Sequence, residues 1–323
     1  MSDLAESSPQ ESYRLGFSIR VFGSPNLPSY DARGPGEASH LSVNLAFLRD
    51  ICLYLQANRI AMYRMHSSVI PAGMHADPDA LAGQIDECRA QLEQLSQLIQ
   101  RSQIRLSFHP YSQVTLNALN EEQADRSLRC LASQVLLLDA LGLGPEAVVV
   151  LHAGGVYDNL QASAERFVRR YEALPEVVRR RVVLEQDDSR YGHAAVRAIQ
   201  EACGVPLVFD GLHHRVWNPE HVPVREALAY SLRTWPDAVR PKVHFATARS
   251  EMRLLEGSRR IKTPTWTEHA DFVVPFEFIE WMELAAGLRP FDIMLEAKAR
   301  DVALLQLRRD LLRFAPDLAA RIA

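Results

Sequence analysis

The stretch "VPLVFDGLHH" at residues 205–214 is a short apolar run that ends in a carboxylate and is followed by two histidines. The run has the length and composition of a buried strand. Asp210, His213 and His214 stand where that strand should end. Two interpretations are open at this point, a metal-binding corner and a polar loop that happens to contain histidine.

The same kind of apolar run recurs eight times along the chain. The predicted strands are 14–22, 59–65, 104–110, 147–154, 180–188, 205–211, 240–246 and 291–298. Helical periodicity follows each of them, at 41–58, 78–102, 121–143, 160–175, 193–203, 222–235, 275–287 and 299–313. Such alternation predicts an α/β fold with a parallel sheet, and eight repeats fit a single closed (β/α)₈ TIM barrel. No glycine-rich phosphate loop follows the first strand, which disfavours a dinucleotide-binding fold.

Composition limits the class of protein. The chain has 323 residues, 47% of them apolar, and a net charge of −4, so no global positive field attracts nucleic acid. Residues 1–12 are predicted to be a frayed tail and residues 13–323 one catalytic domain. We expect no membrane span, a cytoplasmic location and a monomer. The four cysteines are expected to be free thiols: Cys52, Cys88, Cys130 and Cys203.

Polar residues stand at the ends of six successive predicted strands. Because the carboxyl ends of barrel strands meet at one face, these side chains should lie together. A single histidine there is usually structural, but six strands in a row make coincidence a poor explanation. The candidates, with His269 from the last connection, are His109, His152, Glu185, Asp210, His213, His244, His269 and Glu296.

A bare cluster of carboxylates and imidazoles would repel itself or shift its pKa values, and divalent cations resolve that conflict. Mixed nitrogen and oxygen ligands suit Mn²⁺, Zn²⁺ or Fe²⁺, and do not suit Ca²⁺. Eight ligands exceed the need of one ion, so two or three ions are expected. Such clusters suit phosphodiester hydrolysis by metal-activated water.

Pieces that run in order through most of the chain, several of which carry these residues, resemble the UV damage endonuclease family. They include "YRMHSSVIP" (63–71), "LHAGGVY" (151–157), "LEQDDSRY" (184–191), "PKVH" (241–244) and "LEAK" (295–298). The resemblance implies a TIM barrel with a three-metal site, with manganese as the first expectation, held by the eight residues above. It also implies damaged double-stranded DNA as the substrate.

The resemblance further implies that Lys242, Glu185 and His244 act in catalysis. Lys242 precedes His244 by two residues, so both side chains should point to the same face. An ammonium group among cations is unfavourable. Three states of this lysine therefore stay open: a neutral amine, a metal-bridging carbamate, or a side chain turned toward a phosphate.

The chain departs from the family at the residues that probe damaged bases. Where the family has His-Pro-Gly-Gln-aromatic, this sequence reads "HPYSQV" (109–114), which places Ser112 and Gln113 at the probing positions. Phe17 replaces a tyrosine, and an asparagine is lost near Val21. Tyr111 and Gln113 are the candidates that could replace the missing ring and amide from shifted positions.

The connection after the seventh strand, "ARSEMRLLEGSRRIKTPTW" (248–266), is unusually basic. Arg249, Arg253 and Arg259 are candidate phosphate contacts, and an ordinary solvated loop is the alternative. Tyr157, with Trp217 and Trp266, could stack on bases.

Three functional hypotheses follow. The first is a metal-dependent endonuclease that cuts DNA 5′ to a lesion. The second is a related TIM-barrel enzyme that acts on a small sugar, phosphate ester or peptide. The third is a non-enzymatic binding protein, which the complete ligand set disfavours.

Overall fold

The computed structural model describes residues 12–32, 40–157, 159–255 and 257–322. Of the predicted tail, residues 1–11 lie outside the described residues. Ser12 is described, and its backbone carbonyl accepts a hydrogen bond from the guanidinium of Arg240.

Eight parallel strands form two curved sheets. The strands are β1 Leu15–Ser18, β2 Met62–Arg64, β3 Arg105–Ser107, β4 Val149–His152, β5 Val182–Glu185, β6 Leu207–Val208, β7 Lys242–Phe245 and, last in the chain, β10 Asp292–Leu295. One sheet has the order β3-β2-β1-β10-β7 and the other β4-β5-β6. Single parallel bridges join the two sheets at both of their edges, Phe108 to Val149 and Asp210 to His244.

Helices cover the sheets. They are α1 Leu41–Ala57, α2 Pro78–Glu87, α3 Arg89–Arg101, α4 Glu121–Ala140, α5 Leu160–Glu172, α6 Glu176–Arg179, α7 His193–Cys203, α8 Gly211–Val216, α9 Val224–Arg233, α10 Pro275–Leu284, α11 Arg300–Phe314 and α12 Pro316–Ala319. The predicted helix 78–102 is two helices, because the backbone leaves the helical region at Cys88 (φ −99°, ψ 12°). The predicted helix 193–203 matches α7, which ends at Gly204 with a left-handed φ of 74°.

Burial explains the sequence patterns. All four residues of β1, β5, β7 and β10 are buried, as expected for parallel strands covered on both faces, and this produces continuous apolar runs. In α5 the buried residues Ser163, Phe167 and Tyr171 recur every four positions and form one apolar stripe. The prediction of a parallel α/β fold is therefore confirmed.

Two smaller expectations concern thiols and membranes. All four cysteines are free, as predicted, and Cys52 and Cys88 are buried. In the described part of the chain, no helix combines the length and the apolar character needed to cross a membrane.

The connection between β7 and α10 contains an element that the sequence analysis missed. Two short antiparallel strands, β8 Arg253–Leu254 and β9 Ile261–Lys262, pair within it. The chain leaves β7 just after His244 and returns at His269, so both ends of this hairpin begin beside candidate metal ligands.

Candidate metal centre

Strand register brings the candidate ligands to one level. His152 of β4 is the direct partner of Glu185 of β5, and Asp210 bridges to His244 of β7. The backbone N–H of Glu296, directly after β10, donates to the carbonyl of Phe245 (2.9 Å). Neighbouring strands thus present their carboxyl-terminal polar residues side by side.

Glu185 lies at the centre of the cluster. Its Oε1 is 3.0 Å from Nδ1 of His244 and 3.3 Å from Nδ1 of His213. Its Oε2 is 3.3 Å from Nε2 of His109 and 3.9 Å from Nε2 of His152. One carboxylate therefore faces four imidazoles, with each oxygen between two rings.

Glu296 holds the other side of the cluster. Its Oε1 lies 3.4 Å from Nδ1 of His244, and its Oε2 lies 3.7 Å from Nδ1 of His269. The guanidinium of Arg64 also donates to Oε1 of Glu296. Since Nδ1 of His269 hydrogen-bonds the backbone carbonyl of Glu296 (2.8 Å), its Nε2 is the nitrogen left for a ligand.

Three sets of ligand atoms could each hold an ion, with all atoms of a set within 4.8 Å of one another. Seven of the eight predicted ligands belong to these sets, and Glu185 and Asp210 each belong to two. The sets are His109–His152–Glu185, Glu185–Asp210–His213 and Asp210–His244–Glu296. His269 is outside them but contacts Glu296, as described above.

Five buried polar atoms of the cluster lack a hydrogen-bond partner among the residues that the structure describes. They are both carboxylate oxygens of Glu185, Oδ2 of Asp210 and both ring nitrogens of His244. Burying such atoms unpaired is costly. Imidazole nitrogens and carboxylate oxygens are suitable ligands for a first-row divalent ion, so the residues present fit the expected metal.

A second buried carboxylate provides an internal comparison. Asp292, at the opposite end of β10, accepts from Arg105 (Nη1–Oδ2 2.8 Å) and Arg14 (Nε–Oδ2 2.9 Å), with Arg240 3.1 Å away. Burial opposes ionisation here, but these guanidinium groups keep the pKa of Asp292 below its usual value. The chain compensates this acid with arginines, whereas Glu185 and Asp210 face imidazoles and pair with no arginine in the described part of the chain.

The electrostatics of the cluster set its protonation. Burial alone would raise the pKa of Glu185, but the facing imidazoles, first that of His244, hold this pKa well below the usual value. Burial lowers the pKa of His109 to about 4, so its imidazole is neutral at pH 7. For His213 burial also opposes the charge, yet Asp210 and Glu185 raise the pKa to about 11. Metal binding at His213 must therefore displace a proton.

Helix α8 positions part of the site and was missed by the sequence analysis. Asp210 is its N-cap residue, and Oδ1 accepts a hydrogen bond from the backbone N–H of His213 (2.7 Å). The short helix then places Nδ1 of His213 2.9 Å from the carbonyl of Gln186. The signal for this turn was an aspartate three residues before His213, the spacing of a helix cap.

Lys242 is buried in the barrel below the candidate ligands. It shares the face of His244, as predicted, but it is completely buried and its Nζ donates to Oγ of Ser107 (3.0 Å). Burial, followed by the charges of Arg64 and Arg105, lowers its pKa well below the usual value. The side chain of Lys242 therefore has no exposed surface.

Phe17, expected among the substrate-binding residues, is part of the core. Its neighbour Gly16 is in register with Met294, which is in register with His244. Successive strand residues face opposite sides, so Phe17 points away from the face of His244. Its ring is fully buried and packs on Tyr63, with centroids 5.3 Å apart.

The other expected substrate contacts divide by exposure. Ser112 and Gln113 are exposed on the loop after His109. Tyr111 is also exposed, with its hydroxyl 3.1 Å from Oγ of Ser68. Tyr157 has a left-handed φ of 47°, and its exposed ring lies under the guanidinium of Arg166.

The three basic candidates are also not equivalent. Arg249 is buried and pairs with Asp271, with Glu268 3.9 Å away, so it anchors the base of the hairpin and presents no free cation. Arg253 is exposed and lies 3.6 Å from Glu268. Arg259 is exposed and forms no ion pair with a carboxylate of the residues that the structure describes.

Arg64 was not recognised as a site residue from the sequence. It lies in β2, is almost fully buried and contacts Glu296. Arg64 is in register with Ser107 of β3. Met62, two residues before Arg64, is in register with Gly16, which lies on the face of His244, so the side chain of Arg64 points to that face as well. A charged residue inside the apolar run "IAMYRM" was the available signal.

Fold and cluster together define a class: a TIM-barrel-like parallel α/β protein with a candidate metal centre at the carboxyl ends of its strands. The sequence model of the family described as UV-endonuclease UvdE matches residues 37–317, and the chain belongs to this family. The expected function, an endonuclease of the UV damage type, is thereby confirmed.

Curated relatives and a solved structure agree. The UV DNA damage endonuclease of Bacillus mycoides is 30% identical over 267 residues, which cover 82% of this chain and 79% of the relative. The UV DNA damage endonuclease of Bacillus velezensis is 29% identical over a stretch that covers 80% of this chain and 77% of the relative. The crystal structure of SacUVDE superposes with a TM-score of 0.78 at 25% identity and covers 93% of this chain and 98% of its own. The crystal structure of endonuclease IV from Thermus thermophilus shares the fold, with a TM-score of 0.58 at 17% identity. The match covers 94% of this chain and 100% of that structure.

Proposed function

We propose that this chain is a metal-dependent endonuclease that hydrolyses a phosphodiester bond 5′ to a lesion in damaged double-stranded DNA. Family membership supports the endonuclease activity. The observation that carries the metal dependence is the set of buried, unpartnered oxygen and nitrogen atoms of Glu185, Asp210 and His244.

The proposed centre contains two or three divalent ions, with Mn²⁺ as the first expectation and Zn²⁺ or Fe²⁺ as alternatives. When bound, such ions supply water acidic enough to react near neutral pH and neutralise charge on the phosphodiester. Three ligand sets that share Glu185 and Asp210 support this number. The residues proposed to hold the ions are His109, His152, Glu185, Asp210, His213, His244, His269 and Glu296.

The site is proposed to rest on a single closed (β/α)₈ barrel formed by residues 13–323. The parallel bridges at both edges of the two sheets support closure. Closure matters for the chemistry because it keeps strands β3 to β7 and β10 in a ring, with their ends facing one pocket.

Lys242, Glu185 and His244 are the proposed catalytic group, with different tasks. Glu185 and His244 would act as ligands that hold the reacting centre. Lys242, buried below them, would act as a positioning residue through its hydrogen bond to Ser107. An uncharged amine or a carbamate fits this position better than a phosphate contact, since the side chain has no exposed surface.

DNA is proposed to contact the rim around the centre. Tyr111, Ser112 and Gln113 on the loop after His109 are the proposed lesion contacts, with Tyr157 on the next loop as a stacking ring. Arg253 and Arg259 are proposed to contact phosphates, while Arg249 supports the hairpin that carries them. We further propose that the protein acts as a cytoplasmic monomer.

A nicking assay tests the proposal. The protein, loaded with Mn²⁺, is incubated with end-labelled duplexes that are undamaged, UV-irradiated or abasic, and the cut position is mapped. We expect cutting 5′ to a lesion, abolished by chelator and by the double variant Asp210→Ala, Glu296→Ala. Cleavage that persists in the double variant would remove metal catalysis from the account.

The altered loop at 111–113 supports a second candidate, a related barrel enzyme acting on a small phosphorylated, sugar or peptide substrate. A protein that binds metal but cuts none of these duplexes would favour that candidate. Metal analysis of the same preparation separates this outcome from an empty site.

A further inference from the structure

The hairpin between β7 and α10 presents an exposed apolar face beside the metal centre. We define the rim hairpin as residues 249–268, of which Glu256 lies outside the described residues. Backbone bonds close its base: Arg249 N–H donates to Glu268 O (2.6 Å), Ala270 N–H donates to Thr247 O (2.9 Å), and Ala248 bridges to His269. The arm beyond this base is therefore held in place relative to the candidate ligand His269.

Register divides the rim hairpin into two faces. Arg253 is opposite Lys262, and Leu254 is opposite Ile261. Because neighbouring residues of a strand point to opposite sides, one face carries two cations and the other carries two aliphatic side chains. Leu255 N–H donates to Arg260 O (3.0 Å) and continues the ribbon toward its turn.

The apolar face has no cover in the described part of the chain. The exposed fractions are 69% for Leu254, 64% for Ile261 and 68% for Met252, and Trp266 near the base is 71% exposed. Leu254 and Ile261 lie opposite each other with most of their surface exposed, and apolar side chains exposed side by side are typical of a binding surface.

Charge identifies the occupant. Lys262 and Arg253 share Glu268 as their acidic partner, whereas neither Arg259 nor Arg260, at the turn, pairs with a carboxylate of the described residues. A second copy of this chain would bring the same cations together, so self-association through this face is disfavoured. A polyanion with apolar surface between its charges fits, and duplex DNA has both.

We propose that the rim hairpin is a DNA-binding arm. Its apolar face, led by Leu254 and Ile261, packs against sugars and base edges in a groove, while Arg259 and Arg260 contact the flanking phosphates. DNA grooves accept two-stranded ribbons and apolar side chains of this kind. The inference rests on the proposed function, since it assumes that the substrate cut at the metal centre is duplex DNA.

Two variants test separately how the apolar face and the arginines at the turn contribute to DNA binding. The first is Leu254→Ser, Ile261→Ser, and the second is Arg259→Gln, Arg260→Gln. Leu312→Ser is the matched control, since Leu312 is 68% exposed on α11 and is outside the proposed site. Binding of a fluorescent duplex to full-length protein is measured in chelator by anisotropy over a range of salt concentrations, with sedimentation, metal content and nicking as further readouts.

The variant Leu254→Ser, Ile261→Ser, called the aliphatic variant, should weaken duplex binding about tenfold or more. The dependence of its binding constant on salt concentration should not change. In the variant Arg259→Gln, Arg260→Gln, called the arginine variant, the slope of the logarithm of the binding constant against the logarithm of the salt concentration should fall by about 2. Each lost phosphate contact accounts for about 1. The control should bind as the parent does, and all variants should keep the parent's metal content.

Three outcomes would overturn the proposal that the rim hairpin binds DNA. These are parental duplex affinity and nicking in both hairpin variants, an aliphatic variant that changes only the sedimentation coefficient, or equal losses in the control. Failure of the proposed function is a different result: the parent would bind duplex through the hairpin and cut none of the lesion substrates.

Discussion

Asp210 uses its two carboxylate oxygens for different purposes: Oδ1 accepts the backbone N–H of His213 at 2.7 Å, and Oδ2 is buried without a hydrogen-bond partner. One oxygen thus starts helix α8, while the other is available to a cation. Asp210 therefore both caps helix α8 and contributes a candidate metal ligand.

Asp210→Asn should separate these two tasks. Asparagine caps helices as well as aspartate does, so α8 should persist, while the lost charge should weaken metal binding. Asp210→Ala should be about 1 kcal/mol less stable than Asp210→Asn. Urea unfolding and metal analysis of both variants measure this, and equal stability of the two would contradict the capping role.

Chelation should destabilise the parent protein. An ion that binds only the folded state adds about 2.7 kcal/mol of stability at a free concentration one hundred times its Kd. Adding Mn²⁺ to chelated protein should therefore raise the urea midpoint. The variant Asp210→Asn, Glu296→Gln should show little of this increase. A similar increase in both proteins would indicate that the metal acts elsewhere.

Arg64 and Glu296 should behave as a coupled pair. Arg64→Gln leaves the buried Glu296 without its guanidinium partner, and losses of this kind cost about 3 kcal/mol. The double variant Arg64→Gln, Glu296→Gln should recover most of that stability. A double-mutant cycle by urea unfolding in chelator gives the coupling free energy. Additive losses would show that the contact does not stabilise the metal-free fold.

His193 should make folding sensitive to mild acid. It is buried in α7, and burial, with His214 and Arg197 nearby, lowers its pKa to about 4. Between this value and the unfolded pKa near 6.5 the unfolded chain binds more protons, so stability falls as the pH falls. The group should remove about 2 kcal/mol between pH 7 and pH 5. Unfolding of His193→Gln in chelator should show a smaller loss over this interval, and an unchanged loss would exclude His193 as a cause.

Phe17 and Tyr111 should respond in opposite ways to truncation. Phe17→Ala empties a fully buried position and should cost about 3–5 kcal/mol of stability. Tyr111→Ala changes an exposed ring and should alter stability by no more than about 0.5 kcal/mol. It should nevertheless weaken binding of a lesion duplex several-fold, because base stacking is lost. Thermal unfolding and anisotropy on both variants would refute this division if Tyr111→Ala bound damaged DNA as the parent does.

The sequence predicted the parts of the molecule that depend on repeating pattern. Apolar runs alternating with amphipathic segments indicated all eight parallel strands, and the meeting of their carboxyl ends indicated the cluster around Glu185. Helix 193–203 was predictable to the residue, because Gly204 ends it with a left-handed backbone.

What the sequence could not predict depends on direction and pairing in three dimensions. Phe17 and Arg64 are in adjacent strands, but only the register shows that the first points outward and the second toward Glu296. The partner of Lys242, Ser107, comes from another strand far away in the chain. The rim hairpin was read as a charged loop, since its paired strands are two residues long and alternate too briefly to show a period.

The closed base of the rim hairpin has a consequence for redesign of the enzyme. Backbone bonds between Arg249 and Glu268, and between Thr247 and Ala270, complete the ladder before the arm begins. Whatever is grafted beyond that ladder, whether longer, shorter or of foreign sequence, begins and ends at fixed points. The arm could therefore be exchanged as a unit while His244 and His269 keep their places.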